Sequence, residues 1–324
     1  MRKFYLVSLT ICTFLPWVVA SAQTQRYNLR NAGDYNNFIM YQMQEVVKRN
    51  YEYLSYQVHS DDFEQIDQRR RQVIDQVRLA QKTIAEMPPL ENDTQLRDES
   101  IVVLGTYERA FDLDYGEVLN LKRSSKNSYE AMAAYFAAED KAEAKLTEAT
   151  LKLQQIQRVY ASKNNMRVGG TDSVQQRLET KMKRAQEVNR YWRAIFLEYF
   201  RAATLYERAF ELMEQKHPHN LERVRKELLK ASQESVPKLR QMPAFHGNTS
   251  FRDIAADFLA YFERIANEQL VKIVGLFQKP RLTQADVDEV NSVIQYCNSM
   301  YELQVYNLNN ASQVLFEDNI VPQP

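Results

Sequence analysis

Glycine is scarce in this chain, with 7 in 324 residues where average usage gives roughly 23. The shortage argues against Rossmann, P-loop, barrel and β-sandwich folds, whose turns and phosphate cradles depend on glycine. Neither GxGxxG nor GxxxxGK(S/T) occurs. Charge of one sign is also lacking: 42 Lys+Arg stand against 42 Asp+Glu, so no global field points to nucleic acid or anionic lipid. The 4 histidines, His59, His217, His219 and His246, form no HExxH and no ExxH pair, which argues against a ferritin-like di-metal centre. No GxSxG elbow supports nucleophilic catalysis. Beyond the N-terminus the longest apolar run is Ala131 to Ala138, far below the ~20 residues that span a bilayer.

The first residues read as an address. Arg2 and Lys3 precede an apolar stretch from Phe4 to Val19, and Ala20, Ser21 and Ala22 make a small-x-small cleavage signal. Residues 1–22 are therefore expected to be a signal peptide, with the mature chain starting at Gln23. Cys12 lies in mid-segment behind Leu9, Thr10 and Ile11, which argues against lipid anchoring. Cleavage removes Arg2 and Lys3, so the mature chain carries 40 basic against 42 acidic side chains. It also leaves Cys297 as the single cysteine, so no internal disulfide can form even in an oxidising compartment. Cys297 is expected to behave as a small buried hydrophobe.

What remains is helical. Turn signals fall at Gly33 and Asp34, Ser60 to Asp62, Pro88 to Thr94, Ser124 to Ser128, Asn164 to Asp172, His217 to Asn220, Pro243 to Thr249 and Pro280 to Thr283. The segments between them have helical apolar spacing, and Leu104, Phe111 and Val118 repeat every seven residues like a bundle seam. Several helices of about 30 residues, ~45 Å at 1.5 Å per residue, predict an elongated molecule.

Shifted by 155 residues, positions 87–109 match positions 242–264 at eight of 23 places without a gap. The structural pairs include Arg97 and Arg252, Asp98 and Asp253, Glu108 and Glu263, and Arg109 and Arg264. A Met-Pro pair stops one helix, and Asp93/Thr94 or Asn248/Thr249 can cap the next by accepting its free N–H groups. Arg97 and Glu108, like Asp98 and Arg109, lie three turns apart, so neighbouring helices are expected to supply their partners. The reading is all-α: two tandem repeated four-helix bundle-like units over 23–163 and 173–324, joined by a linker at 164–172. The long helix from Ser173 could brace the two.

Candidate sites are few. Asp112 and Asp114 beside Tyr115 form the one compact carboxylate cluster at an apolar seam, with Gln269 in the matching place of the second unit. A polar residue there more often sets register or reaches solvent than performs catalysis. The 19 Tyr and 15 Phe include a stripe at Tyr191, Trp192, Phe196, Tyr199, Phe200, Tyr206 and Phe210, echoed by Tyr35, Phe38, Tyr41, Tyr51, Tyr53 and Tyr56. Core packing is the default use of such rings. Any that line a groove could bind glycan, an apolar ligand or a partner helix. His217 and His219 flank Pro218 as two potential ligands without a third. The runs Arg69, Arg70, Arg71 and Lys181, Lys183, Arg184 read as solvated faces. Asn92-Asp93-Thr94, Asn248-Thr249-Ser250 and Asn310-Ala311-Ser312 fit the N-glycan acceptor pattern.

The Ala-Ser-Ala-Gln exit, the duplicated Met-Pro before a Thr-x-x-Arg-Asp helix, and the alanine-rich Tyr129 to Ala144 segment resemble exported helical-bundle surface proteins of Gram-negative bacteria. The resemblance implies periplasmic or cell-surface location and transfers no catalytic motif. Together these readings predict a non-enzymatic binding or scaffold module of the cell envelope, without cofactor, nucleic acid or membrane span, that contacts a protein partner or self-associates. The alternative is a periplasmic carrier of a small molecule or metal in an inter-helical pocket near Asp114, Gln269, Tyr191, Trp192 or Tyr199.

Overall fold

The computed structural model describes residues 29–166 and 173–320. The signal segment 1–22 with its Ala-Ser-Ala-Gln exit, and the linker residues Gly169, Gly170 and Asp172, lie outside the described residues. The described residues form eight helices and no strand. They are α1 (Ala32–His59), α2 (Phe63–Ala85), α3 (Gln95–Arg109, continued through a π turn at Ala110–Asp114 into Tyr115–Ser124) and α4 (Tyr129–Lys163). The second four are α5 (Ser173–Glu214), α6 (Pro218–Gln241), α7 (Ser250–Arg264, continued through a π turn at Ile265–Gln269 into Leu270–Phe277) and α8 (Gln284–Glu317).

Element starts recur at the offset found in the sequence. α6, α7, the second π turn and α8 each begin 155 residues after α2, α3, the first π turn and α4. α5 begins 14 residues before the place that matches the start of α1. The caps explain several boundaries. Asn31, Asp62 and Ser128 accept backbone N–H groups of the helices they precede, and Thr283 forms a capping box with Asp286. Because Asn31 is the cap, Gly33 and Asp34 fall inside the first turn of α1 and do not break it.

The corner after each Met-Pro is built twice the same way. Leu90 and Asp93, and likewise Phe245 and Asn248, exchange backbone hydrogen bonds of 2.7–3.1 Å. Both central residues of each turn are left-handed, Glu91 and Asn92 in the first and His246 and Gly247 in the second, as a type I′ turn requires. The caps of α3 and α7 come from Asp93 and Asn248, which accept from the N–H of Gln95 and Ser250 at 2.9 and 2.8 Å. Thr94 and Thr249 instead hydrogen-bond the carboxylates of Asp98 and Asp253.

Two hydrophobic clusters fill the molecule. One is built by α1–α4 around Ile39, Val46, Tyr53, Val77, Leu104, Phe111 and Val118. The other is built by α5–α8 around Ile195, Tyr206, Leu228, Phe258, Phe262, Leu270 and Cys297. The predicted seam Leu104, Phe111, Val118 is fully buried. α1 serves both clusters, with Tyr53 in the first and Tyr51 in the second, while Trp192 and Phe196 of α5 pack against both. The extra N-terminal turns of α5 are held by Met182 and Ala185 in the second core, by Lys181 over the Tyr51 ring and by Arg184 bonded to Asn319 at 2.6 Å.

Candidate functional site

The repeated polar residues are structural ties. Arg97 donates to the Met87 carbonyl at 2.9 Å and pairs with Asp98 at 2.8 Å. Arg252 does the same with Met242 and Asp253 at 2.5 and 2.8 Å. Glu108 accepts from Arg78 of α2 at 2.7 Å, and Glu263 from Gln233 of α6 at 3.0 Å, so a neighbouring helix supplies the partner of each glutamate, whereas Arg97 and Arg252, against the expectation, pair with the aspartate next in sequence. Arg109 and Arg264 are exposed at the ends of the α segments.

Each π turn breaks the regular i→i−4 ladder and leaves carbonyls in need of a donor. Arginine supplies it. Arg70 donates to the carbonyls of Phe111 and Asp112 at 2.7 and 3.2 Å and is steadied by Asp67. Arg225 donates to the Ala266 carbonyl at 3.1 Å and is steadied by Glu222, whose carboxyl its guanidinium holds down to about 2. The expectation that Arg69–Arg71 form one solvated run is therefore corrected. Arg70 is buried, Arg71 is exposed on Asp67, and Arg69 takes a third environment described below.

Where the two halves meet, α4 and α5 share a buried charge cluster. Arg193, whose side chain is 9% exposed, bonds Glu139, Asp140 and Glu143 at 2.9, 2.7 and 3.3 Å. Glu139 also accepts from Gln57 of α1 at 2.6 Å and from the Tyr135 hydroxyl at 2.8 Å. Burial pushes the Glu143 carboxyl above its ordinary range although Arg193 and Arg190 oppose it, and burial raises the Tyr53 and Tyr115 phenols. A cavity of about 30 Å³ beside the cluster touches Tyr53, Gln57, Tyr115 and Glu143.

A larger cleft of about 750 Å³ opens between α1 and α2 on one side and α5 and α8 on the other. Tyr56 and Trp192 give it ring surface over the buried Phe316, and the exposed Gln72, Asn309 and Gln313 give it neutral polar groups. The Trp192 indole N–H donates to Ser312 Oγ at 2.7 Å, which fixes the ring. Three of its charged groups already have hydrogen-bonding partners, since Arg49 pairs with Glu52 at 2.7 Å and Glu317 accepts from Gln313 at 2.7 Å. Arg69 does not. Its guanidinium lies 4.4 Å from the centre of the Tyr56 ring, and its buried Nε has no hydrogen-bond partner. Its volume falls within the range of small-molecule pockets, and its lining mixes ring, amide and charged groups.

The predicted site residues divide accordingly. Asp114 ends the first π turn and is bound by Lys145 of α4 at 2.6 Å, while Asp112 is exposed, so the two carboxylates do not converge on a pocket. Gln269 ends the second π turn, half-buried. Tyr199 is buried against Phe258, and Tyr191 packs on Phe245. Trp192 alone among them lines the cleft. His217 occupies the N-cap position of α6 without a side-chain capping bond, and no group of three potential metal ligands occurs among the described residues. Cys297 is buried, its thiol raised to about 11 by desolvation. No helix among the described residues is long and apolar enough to cross a membrane.

Arg69 and Arg193, both central to this geometry, carry a signal that the 23-residue match did not reach. At the fixed offset Arg69 corresponds to Val224, Arg193 to Phe38 and Glu139 to Ile294. Charge in one half replaces apolar side chains in the other at the places where the halves touch. The sequence matches no known protein family, and neither a curated protein nor a solved structure is detectably similar to it.

Proposed function

We infer that this chain is an exported, non-enzymatic binding protein of the cell envelope, an elongated pair of tandem four-helix units whose ligand enters the cleft between them. The N-terminal segment supports export to the periplasm or cell surface. The constant 155-residue offset of caps, corners, π turns and Arg staples supports a duplicated unit. The cleft carries the functional reading, because it combines ring surface, neutral polar groups and a guanidinium whose Nε lacks a partner. Within the cleft, the two carboxylates Glu52 and Glu317 are engaged by Arg49 and Gln313, which favours an organic ligand over a metal. The test is native mass spectrometry of the purified chain after incubation with the small-molecule fraction of an envelope extract. A bound mass that disappears in a Trp192→Ala, Gln72→Ala double variant supports the reading. Retention of the same mass by that variant refutes it.

A second reading, self-association as a scaffold, draws on α8. Tyr296, Leu303 and Val314 are exposed, and spacings of seven and eleven residues put them on one helix face beside Tyr306, which is 69% exposed. Sedimentation should show a concentration-dependent dimer abolished by Leu303→Glu and Tyr306→Glu. A monomer at every concentration removes this reading.

A further inference from the structure

The geometry points to an acidic saccharide, a sugar ring bearing a carboxylate, as the ligand class of the cleft, with Arg69 as the residue that binds the carboxylate. This rests on the cleft being the binding site, as proposed above, and adds the chemistry that the site selects.

The argument starts from position 69. Three arginines follow one another at the start of α2, and Asp67 engages two of them, Arg70 and Arg71. Arg69 forms no ion pair with any described carboxylate. It is held by the ring of Tyr56, and its Nε is shielded without a partner. Leaving such a donor unpaired is destabilising. The matching residue of the second half, Val224, is buried in the core, so an apolar side chain satisfies the same place in the helix pair. Arginine there packs on the Tyr56 ring but forms no structural ion pair. An incoming carboxylate would pair with the guanidinium where Arg69 lines the cleft, in the bidentate manner that guanidinium favours, rather than with the shielded Nε.

The rest of the lining describes the body attached to that anion. Gln72 and Asn309 carry exposed amides that both donate and accept, which suits hydroxyl groups, while the Gln313 amide N–H is already engaged by Glu317. Trp192, half-buried and backed by the buried Phe316, offers ring surface for the C–H face of a pyranose. A hydrocarbon acid would leave the amides unpaired, and a neutral sugar would leave Arg69 unpaired. A uronic acid-type sugar uses both, and a volume of about 750 Å³ accommodates one or two such rings.

Trp192 lines the cleft, and the chain's other tryptophan is Trp17, so in full-length chain carrying Trp17→Phe the indole emission reports occupancy. The probes are a glucuronate-containing disaccharide, the same disaccharide with its carboxylate reduced to the alcohol, and phenylacetate. The expected result is a saturable emission change with the acidic disaccharide. Carboxyl reduction, Arg69→Val and Arg69→Gln should each weaken binding at least about tenfold, as loss of a charged hydrogen bond implies. Circular dichroism confirms that both variants fold. Equal binding of the reduced disaccharide, or full retention by both folded variants, overturns the role of the anion and leaves the cleft as a site. Tighter binding of phenylacetate overturns the saccharide body. No emission change with any probe up to about 10 mM, weaker than millimolar affinity, overturns the ligand class, while the extract experiment decides the cleft separately.

Discussion

Replacing Arg193 by methionine keeps most of the aliphatic stem and removes the buried charge at the centre of the α4–α5 cluster, leaving only the exposed Arg190 at 3.8 Å from Glu143. The carboxylates of Glu139 and Glu143 are each 12% exposed and lie 2.9 and 3.3 Å from the guanidinium. With an effective dielectric of about 20, one charge pair at that separation carries about 6 kcal/mol of gross attraction. Desolvation of the guanidinium offsets much of it, and breaking such a buried pair by removing one partner typically costs about 3–5 kcal/mol, because the carboxylates stay behind. Asp140 is 60% exposed and adds little. The deficit has a pH dependence. Burial already raises the Glu143 carboxyl above 4.5 against the pull of Arg193, and loss of Arg193 raises it further. A carboxyl with a folded pKa above its unfolded one contributes stability that is present below the unfolded pKa and is lost as pH rises through the folded value. The Arg193→Met variant should therefore be about 3–5 kcal/mol less stable at pH 7, with a smaller deficit as the pH approaches 4.5. Urea denaturation followed by circular dichroism measures this at both ends of the window. Adding Glu139→Gln and Glu143→Gln should recover more than half of the loss. A pH-independent deficit below about 1 kcal/mol, or no recovery in the triple variant, refutes the reasoning.

Arg70→Leu should cost about 2 kcal/mol and Arg225→Leu about 1 kcal/mol, since Arg70 satisfies two π-turn carbonyls and Arg225 one; equal or negligible losses in denaturant titrations would show that the π turns do not depend on them. Cys297, with a thiol raised to about 11, should resist alkylation at about pH 8 in folded Cys12→Ser chain and react once urea unfolds it; prompt labelling of the folded chain contradicts its burial. The phenols of Tyr35, Tyr160 and Tyr301 are pushed by burial from 10 up to about 12. Their contribution to stability is present below pH 10 and lost as pH rises through about 12, so tyrosinate absorbance should appear together with loss of helix; ionisation near the ordinary value with the helices intact contradicts that.

Local rules reached most of the helical framework. Proline, Asx and Ser/Thr caps are read directly from the chain, so the breaks at Ser60–Asp62, Pro88–Thr94 and Pro280–Thr283 were legible, and the seam through Leu104, Phe111 and Val118 follows from apolar spacing alone. The π turns were not legible, because residues such as Phe111-Asp112 or Ala266-Asn267 carry no composition that distinguishes them from ordinary helix. They exist through a tertiary contact, an arginine from the preceding helix reaching their carbonyls. For the same reason Arg70 looked like solvated charge. Of the aromatics singled out as possible ligand contacts, Trp192 and Tyr56 line the cleft, and Asp114 is tied to Lys145. Arg69 and Arg193 escaped because their meaning is relative: an arginine is unremarkable on a helix until the matching position is seen to be Val224 or Phe38.

Hydrogen–deuterium exchange of the chain with and without the small-molecule fraction of an envelope extract tests the central claim most directly. The account predicts added protection in the stretches that wall the cleft, 49–58, 69–72 and 309–317, with the outer faces of α3 and α7 unchanged. Protection confined to the exposed side of α8 around 296–306, or unchanged exchange throughout with a ligand shown to be bound, would contradict it.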